Sequence, residues 1–158
     1  MSSTHKKIIV QKQDRDSMNG YVASASFIVD GKLEMLNTAG QVVGIDLKDI
    51  RCVYFVREFG ETDLLARKTF TTRPRSAGLW VRLRFKDNEM LEGTMPADLM
   101  QSPAEGFLIN PPDLRSNTQR IFVPRSALAG VAVLAVIGAQ KRKRRGANEI
   151  QEKLFEEQ

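Results

Sequence analysis

Histidine and cysteine are the side chains most often recruited for proton transfer and nucleophilic attack. This chain has one of each, His5 and Cys52. His5 stands within the first few residues, where a fixed catalytic geometry is not expected. A Ser-His-Asp or Cys-His unit would have to use it, so neither is expected. Cys52 falls in the middle of a strand and reads as a small buried apolar residue rather than a nucleophile. A single cysteine allows no intramolecular disulfide and no cysteine zinc cage. Gly40 and Gly44 are flanked by strands and have no Lys-Ser/Thr after them, so they do not make a phosphate loop. Asp14 and Asp16 lack further ligands nearby and read as turn acids rather than a cation site. Nothing singles out an acid pair for glycoside hydrolysis. The expectation is a protein that is not an enzyme and carries no cofactor and no metal.

The remaining candidates are cationic. Arg67, Lys68, Arg73 and Arg75 form one basic segment, and Lys141, Arg142, Lys143, Arg144 and Arg145 form another. Either can neutralise phosphates of RNA or DNA. The second can also meet an anionic membrane surface, or be a solvated run with acids following it. The net charge of +5 is unevenly spread. Residues 79–140 hold six basic and six acidic residues, so the chain is not uniformly basic. Binding of single-stranded nucleic acid usually adds aromatic platforms on which bases stack. Here Trp80, Phe85, Phe107 and Phe122 fall on predicted strands, where core packing is the default.

These residues must be positioned by some fold, and 158 residues suffice for one ordinary domain or two very small ones. The 42% hydrophobic and 27% charged shares suit a soluble, packed protein. Met1–Lys12 lacks an apolar core segment, so no signal peptide is expected. With the cysteine usage, this points to the cytoplasm. Ser126–Gln140 is almost entirely apolar and precedes the basic run, as a membrane anchor would. At about 15 residues it is shorter than the roughly 20 that span a bilayer, so no transmembrane segment is expected.

An internal repeat explains that apolar run better. Ile8–Val22 matches Val81–Met95, with Asp14 on Asp87, Asp16 on Glu89, Met18 on Leu91 and Gly20 on Gly93. Gly31-Lys32-Leu33 matches Gly106-Phe107-Leu108. Gln41–Ile50 lies over Gln119–Leu128, and the match continues with Val53 on Val131, Phe55 on Val133 and Val56 on Leu134. Each half reads as five short strands. Trp80–Phe85 alternates, with Val81, Leu83 and Phe85 facing one way and Arg82 and Arg84 the other. Lys86–Glu89 is a hairpin turn. Met90–Met95, Gly106–Asn110 and Gln119–Val123 follow. A one-turn connection at Pro124-Arg125-Ser126 precedes the closing strand Leu128–Val136. The first half runs Lys7–Gln13, Met18–Ser24, Lys32–Leu36, Gln41–Asp46 and Ile50–Arg57.

Five short strands with a one-turn connection before the last resemble the SH3-like small barrels, including Sm-like proteins. The second half also looks like a small-barrel domain of uncharacterised bacterial proteins. The resemblance implies an all-β fold of two tandem five-stranded barrels packed together, and fold does not fix function. The Sm-type RNA-contacting motif ends in an Arg-Gly step. Gly44-Ile45-Asp46 and Phe122-Val123-Pro124 stand at the corresponding strand ends, which argues against Sm-type RNA contacts. Arg73-Pro74-Arg75 differs from the arginine spacing that precedes a PilZ-type barrel, and no Asp-x-Ser-x-x-Gly element accompanies it.

The expected organisation is a first barrel at 1–57, a linker at 58–78, a second barrel at 79–138 and a basic tail at 139–158. Within the linker, Leu64–Arg67 can make a helical turn or two. Within the tail, Ile150, Leu154 and Phe155 are spaced for a short amphipathic helix, too short to be stable alone. Each barrel is small enough that burial is marginal. The apolar run Val131–Ile137 is therefore expected to belong to a closing strand buried on both faces, one toward its own barrel and one toward its neighbour. The functional expectation is a non-catalytic binding or scaffold module acting through protein–protein interaction. The alternatives are nucleic-acid binding through the tail and linker, or a phosphate-bearing nucleotide ligand at the linker arginines.

Overall fold

The computed structural model describes residues 5–23, 25–60, 67–113 and 115–138. The linker turn at Leu64–Arg67 falls mostly outside the described residues. So do the basic run Lys141–Arg145 and the tail helix.

The chain is all-β, with eleven strands among the described residues. In the first half these are β1 (His5–Lys12), β2 (Ser17–Ala23), β3 (Ile28–Val29), β4 (Lys32–Asn37), β5 (Val42–Asp46) and β6 (Ile50–Val56). In the second half they are β7 (Gly78–Phe85), β8 (Met90–Met95), β9 (Gly106–Ile109), β10 (Thr118–Pro124) and β11 (Leu128–Ile137). One turn of 3₁₀ helix precedes β6 (Leu47–Asp49), and another precedes β11 (Arg125–Ala127). A third, Leu99–Gln101, lies in the loop before β9 and is started by Asp98, whose carboxylate accepts the Met100 amide.

The two halves pair in the same strand sequence. In the first, β6 pairs β1, β1 pairs β2, β2 pairs β4 and β4 pairs β5. In the second, β11 pairs β7, β7 pairs β8, and β9 pairs β10. The step from β8 to β9 is a single bridge, Thr94 to Asn110. Both first hairpins turn identically. Arg15 and Asn88 take φ of 75° and 71°. Asp14 Oδ1 accepts the Asp16 amide and Asp87 Oδ1 the Glu89 amide, each at 3.0 Å. An aspartate that bonds the backbone two residues on holds such a turn at its own sequence position. The ladder irregularity that skips Arg51 in β6 recurs in β11, where it skips Ala129.

The middle block is offset by one residue from the sequence match. Gly31-Lys32-Leu33 does not overlie Gly106-Phe107-Leu108. Leu33 pairs Ile45 and Met35 pairs Val43, while Phe107 pairs Val123 and Ile109 pairs Ile121. Phe107 is therefore the counterpart of Leu33. A one-residue slip inverts which side chains face the core, so pairing rather than the shared glycine fixes this register.

The sheets are open. Pairing runs β3-β4-β2-β1-β6-β10-β9, with β5 on β4, and separately β11-β7-β8. Two separately closed barrels packed together are thus replaced by halves joined through one ladder, β6 to β10. Strand β6 lies at that seam, and every one of its residues is buried. Ile50, Val53 and Phe55 enter the core of the first half, together with Ile8, Val10, Leu33, Met35 and, from the second half, Phe122. Cys52, Tyr54 and Val56 enter the core of the second half, with Val81, Leu83, Phe85 and Leu91.

The expectation for β11 fails on this point. The strand buried on both faces is β6, and among the described residues β11 is an edge strand paired with β7 alone. Val131, Val133 and Val136 are exposed. An apolar composition is compatible with either place; the neighbour that decides it, β10, lies beside β6 and not beside β11. The segment Leu128–Ile137 is a strand, and among the described residues no helix is long and apolar enough to cross a membrane.

Candidate functional site

Charge concentrates where the hairpin β1–β2, strand β6 and the hairpin β7–β8 meet. Arg51 is the charged residue in the otherwise apolar β6, and its side chain is only 7% exposed. Its guanidinium carbon lies 4.0 Å from the Phe85 ring centroid, a cation–π contact from one half to the other. Its Nε donates to Asp87 Oδ2 at 3.2 Å and Nη1 to Gln11 Oε1 at 3.3 Å. Its Nη2 stands 3.2 Å from both Asp87 Oδ2 and Glu89 Oε2, close enough for ion pairing but without hydrogen-bond alignment. Arg15 donates to Asp87 and Glu89 at 2.9 Å each, and Lys68 Nζ donates to Glu89 Oε2 at 3.3 Å.

Three cations therefore hold two carboxylates. The Arg15 hydrogen bond is the main reason the Glu89 carboxyl is lowered to about 2, against some opposition from burial. The same bond raises Arg15. A cleft of about 80 Å³ beside the cluster is lined by Arg15, Arg51, Lys68 and Glu89 and reaches Cys52 and Tyr54. Burial pushes the Cys52 thiol up to about 11 and pushes the Tyr54 phenol up further. Both stay protonated at neutral pH, so neither is poised as a nucleophile. The cluster ties the halves together across the seam.

The linker cations do not form one group. Lys68 belongs to the cluster through Glu89, and its carbonyl accepts the Glu92 amide at 2.7 Å. Arg67 and Arg75 are exposed. Arg73 reaches the Val136 carbonyl at 3.5 Å. Glu92 itself is buried, and it accepts from Trp80 Nε1, the Phe70 amide and the Arg82 guanidinium at 3.0–3.2 Å. This buried, fully bonded carboxylate fastens the linker along β8. Phe85 and Phe122 are buried, while Trp80 and Phe107 are half-buried. Trp80 packs edge-on to Phe70. These contacts are packing contacts.

Sequence reasoning missed Arg51, Arg15, Asp87 and Glu89 as one group. An arginine inside an otherwise apolar strand was the available signal, since such a charge requires partners. Among the described residues, β5 and β11 are edge strands that carry exposed apolar side chains. Val42 of β5 and Val131, Val133 and Val136 of β11 are large apolar residues facing solvent along strands that each have one neighbour among the described residues. An edge with unpaired amides and carbonyls is a template for another strand.

The chain belongs to a family of unknown function, DUF6982, whose model matches residues 4–135. That match covers both halves and ends within β11. No curated protein and no solved structure matches it.

Proposed function

We propose that this chain is a duplicated pair of SH3-like, Sm-like units that acts in the cytoplasm as a non-catalytic scaffold, binding proteins through its strand edges. The common strand order of the halves, their matched first turns and the 3₁₀ turn before each closing strand support the duplication. The open edge of β11 carries the functional reading. Its valines are exposed over a ten-residue strand, and apolar side chains on an unpaired edge are a liability unless something covers them. Strand addition supplies backbone hydrogen bonds for affinity and alternating side chains for specificity.

The charge cluster is a weaker candidate, because its carboxylates already bind its cations. The test is capture of proteins on immobilised chain, with and without nuclease, by the wild type and by Val133→Lys. Edge binding predicts nuclease-resistant capture that is lost in the variant. Capture that disappears with nuclease, or with Arg73→Ala and Arg75→Ala together, would replace this reading with nucleic-acid binding. Thermal stabilisation by a nucleotide panel, abolished by the same double variant, would replace it with a phosphate-bearing small ligand.

A further inference from the structure

The seam inside the chain shows what each open edge lacks. Strand β6 is closed on its free side by β10, antiparallel, with Phe122 opposite Val53, Ile121 opposite Tyr54 and Arg120 opposite Phe55. Under that cover Val53 is 0% and Phe55 3% exposed. The counterpart of β6 in the second half is β11. The two strands meet β1 and β7 in matching registers: Val10 pairs Val53 as Leu83 pairs Val131, and Ile8 pairs Phe55 as Val81 pairs Val133. Yet Val131 is 41% and Val133 56% exposed, and among the described residues no strand lies beyond β11. Directly paired residues share a sheet face, so these valines lie on the side of the buried Val81 and Leu83. The flank of the second core is open where the flank of the first is closed.

The strand that would close it also has a counterpart with a free edge. Strand β5 matches β10, since each pairs the preceding strand in the same register and each leads into a 3₁₀ turn and a closing strand. Its free edge shows Val42 at 72% exposure. Each chain therefore ends in two edges complementary to each other in the sense already realised at its own seam.

We infer that β11 of one chain pairs antiparallel with β5 of a second copy, repeating the β6–β10 ladder between molecules. This rests on the reading of the edges as binding surfaces and names their partner. Carried over from the seam, the register sets Val42 opposite Val133, Val43 opposite Ala132 and Gly44 opposite Val131. The two most exposed valines of the seam-equivalent region then cover one another. Arg73 lies farther along β11, at Val136, and leaves this stretch clear. The contact is head-to-tail, so it propagates to a ring or a fibre rather than stopping at a two-fold dimer.

Sedimentation velocity of the purified full chain tests it with two variants at exposed positions, Val42→Lys and Val133→Lys. The wild type is expected to self-associate beyond a dimer as concentration rises, and each variant alone to remain monomeric. An equimolar mixture of the two variants is expected to form a one-to-one dimer, because each supplies the edge the other has lost. Oxidation of the double variant Val42→Cys with Val133→Cys is expected to link chains covalently, since directly opposed β-carbons lie within disulfide reach. A wild-type far-ultraviolet circular dichroism spectrum and cooperative thermal unfolding of the lysine variants establish that they fold. A wild type that stays monomeric across the micromolar range overturns the inference. So does a Val42→Lys variant that still dimerises, which marks a two-fold β11–β11 contact. A monomeric chain that still captures proteins through β11 refutes only the self-pairing, whereas capture indifferent to Val133→Lys refutes the edge reading itself.

Discussion

Phe122 belongs by sequence to the second half and by packing to the first. It is fully buried among Ile8, Val10, Val53 and Phe55, and it meets Phe27 edge-on at 5.3 Å between centroids. Truncating a buried phenylalanine to alanine costs about 4 kcal/mol, from lost transfer energy and the cavity left behind. Phe27 also contacts Phe55 at 5.5 Å, so one ring pair survives and the aromatic contribution is only partly lost. With a urea slope of about 2 kcal/mol per molar, appropriate to a small protein, Phe122→Ala should lower the unfolding midpoint by about 2 M. The single tryptophan makes the experiment sharper. Trp80 lies on β7 in the second half, hydrogen-bonded to Glu92, whereas the cavity opens in the core of the first. If the β6–β10 ladder makes one cooperative unit, Trp80 fluorescence and far-ultraviolet circular dichroism shift together by the full amount. A circular dichroism transition that moves while the Trp80 transition stays would show two independently unfolding bodies. A midpoint change worth less than about 1 kcal/mol would refute the packing argument.

Other consequences follow from the same contacts. Glu89 has a folded pKa of about 2 against an ordinary 4.5, so its contribution to stability is complete above pH 4.5 and is lost as pH falls toward 2. Thermal midpoints of wild type and Glu89→Gln should therefore differ at neutral pH and converge across that acid window; a constant gap would contradict it. Gly93→Ala would put a β-carbon 2.7 Å from the Asn110 carbonyl oxygen and 2.6 Å from Ile109 Cδ1. It should destabilise by about 2 kcal/mol by denaturant titration, with loss of amide protection at Thr94 and Asn110. Gly20→Ala, 2.8 Å from the Leu36 carbonyl oxygen, should act alike in the first half. Cys52 is buried with its thiol raised to about 11. Its labelling by a thiol reagent should therefore be negligible in the native chain and follow urea unfolding; fast native labelling would show the second core to be open.

The cores are legible in the sequence to different degrees. The alternation of Val81, Leu83 and Phe85 with Arg82 and Arg84 gives the buried and exposed faces of β7 correctly, because a strand with one wet face prints its period directly. The bounds expected for β8, Met90–Met95, agree residue for residue with the structure, and most others shift by one or two positions at their ends. The short β3 carries no such period in its two residues. The charge cluster is far less legible. Arg15, Lys68 and Glu89 are separated by long stretches of chain and look like ordinary surface charges. They meet only because the two first hairpins are brought together around Arg51.

The sequence by itself determined the all-β class, the positions of both turn aspartates, the 3₁₀ turn before each closing strand and the parallel order of strands in the two halves. These depend on local rules: period-two burial, Asx turns and glycine at close approaches. Only the tertiary structure decided which closing strand is sandwiched and which is an edge. Strands β6 and β11 are both rich in valine, and each could fill a two-sided environment. One is covered by β10 and the other has no neighbour beyond it among the described residues, and that difference is a property of strand pairing that neither segment carries in its own residues.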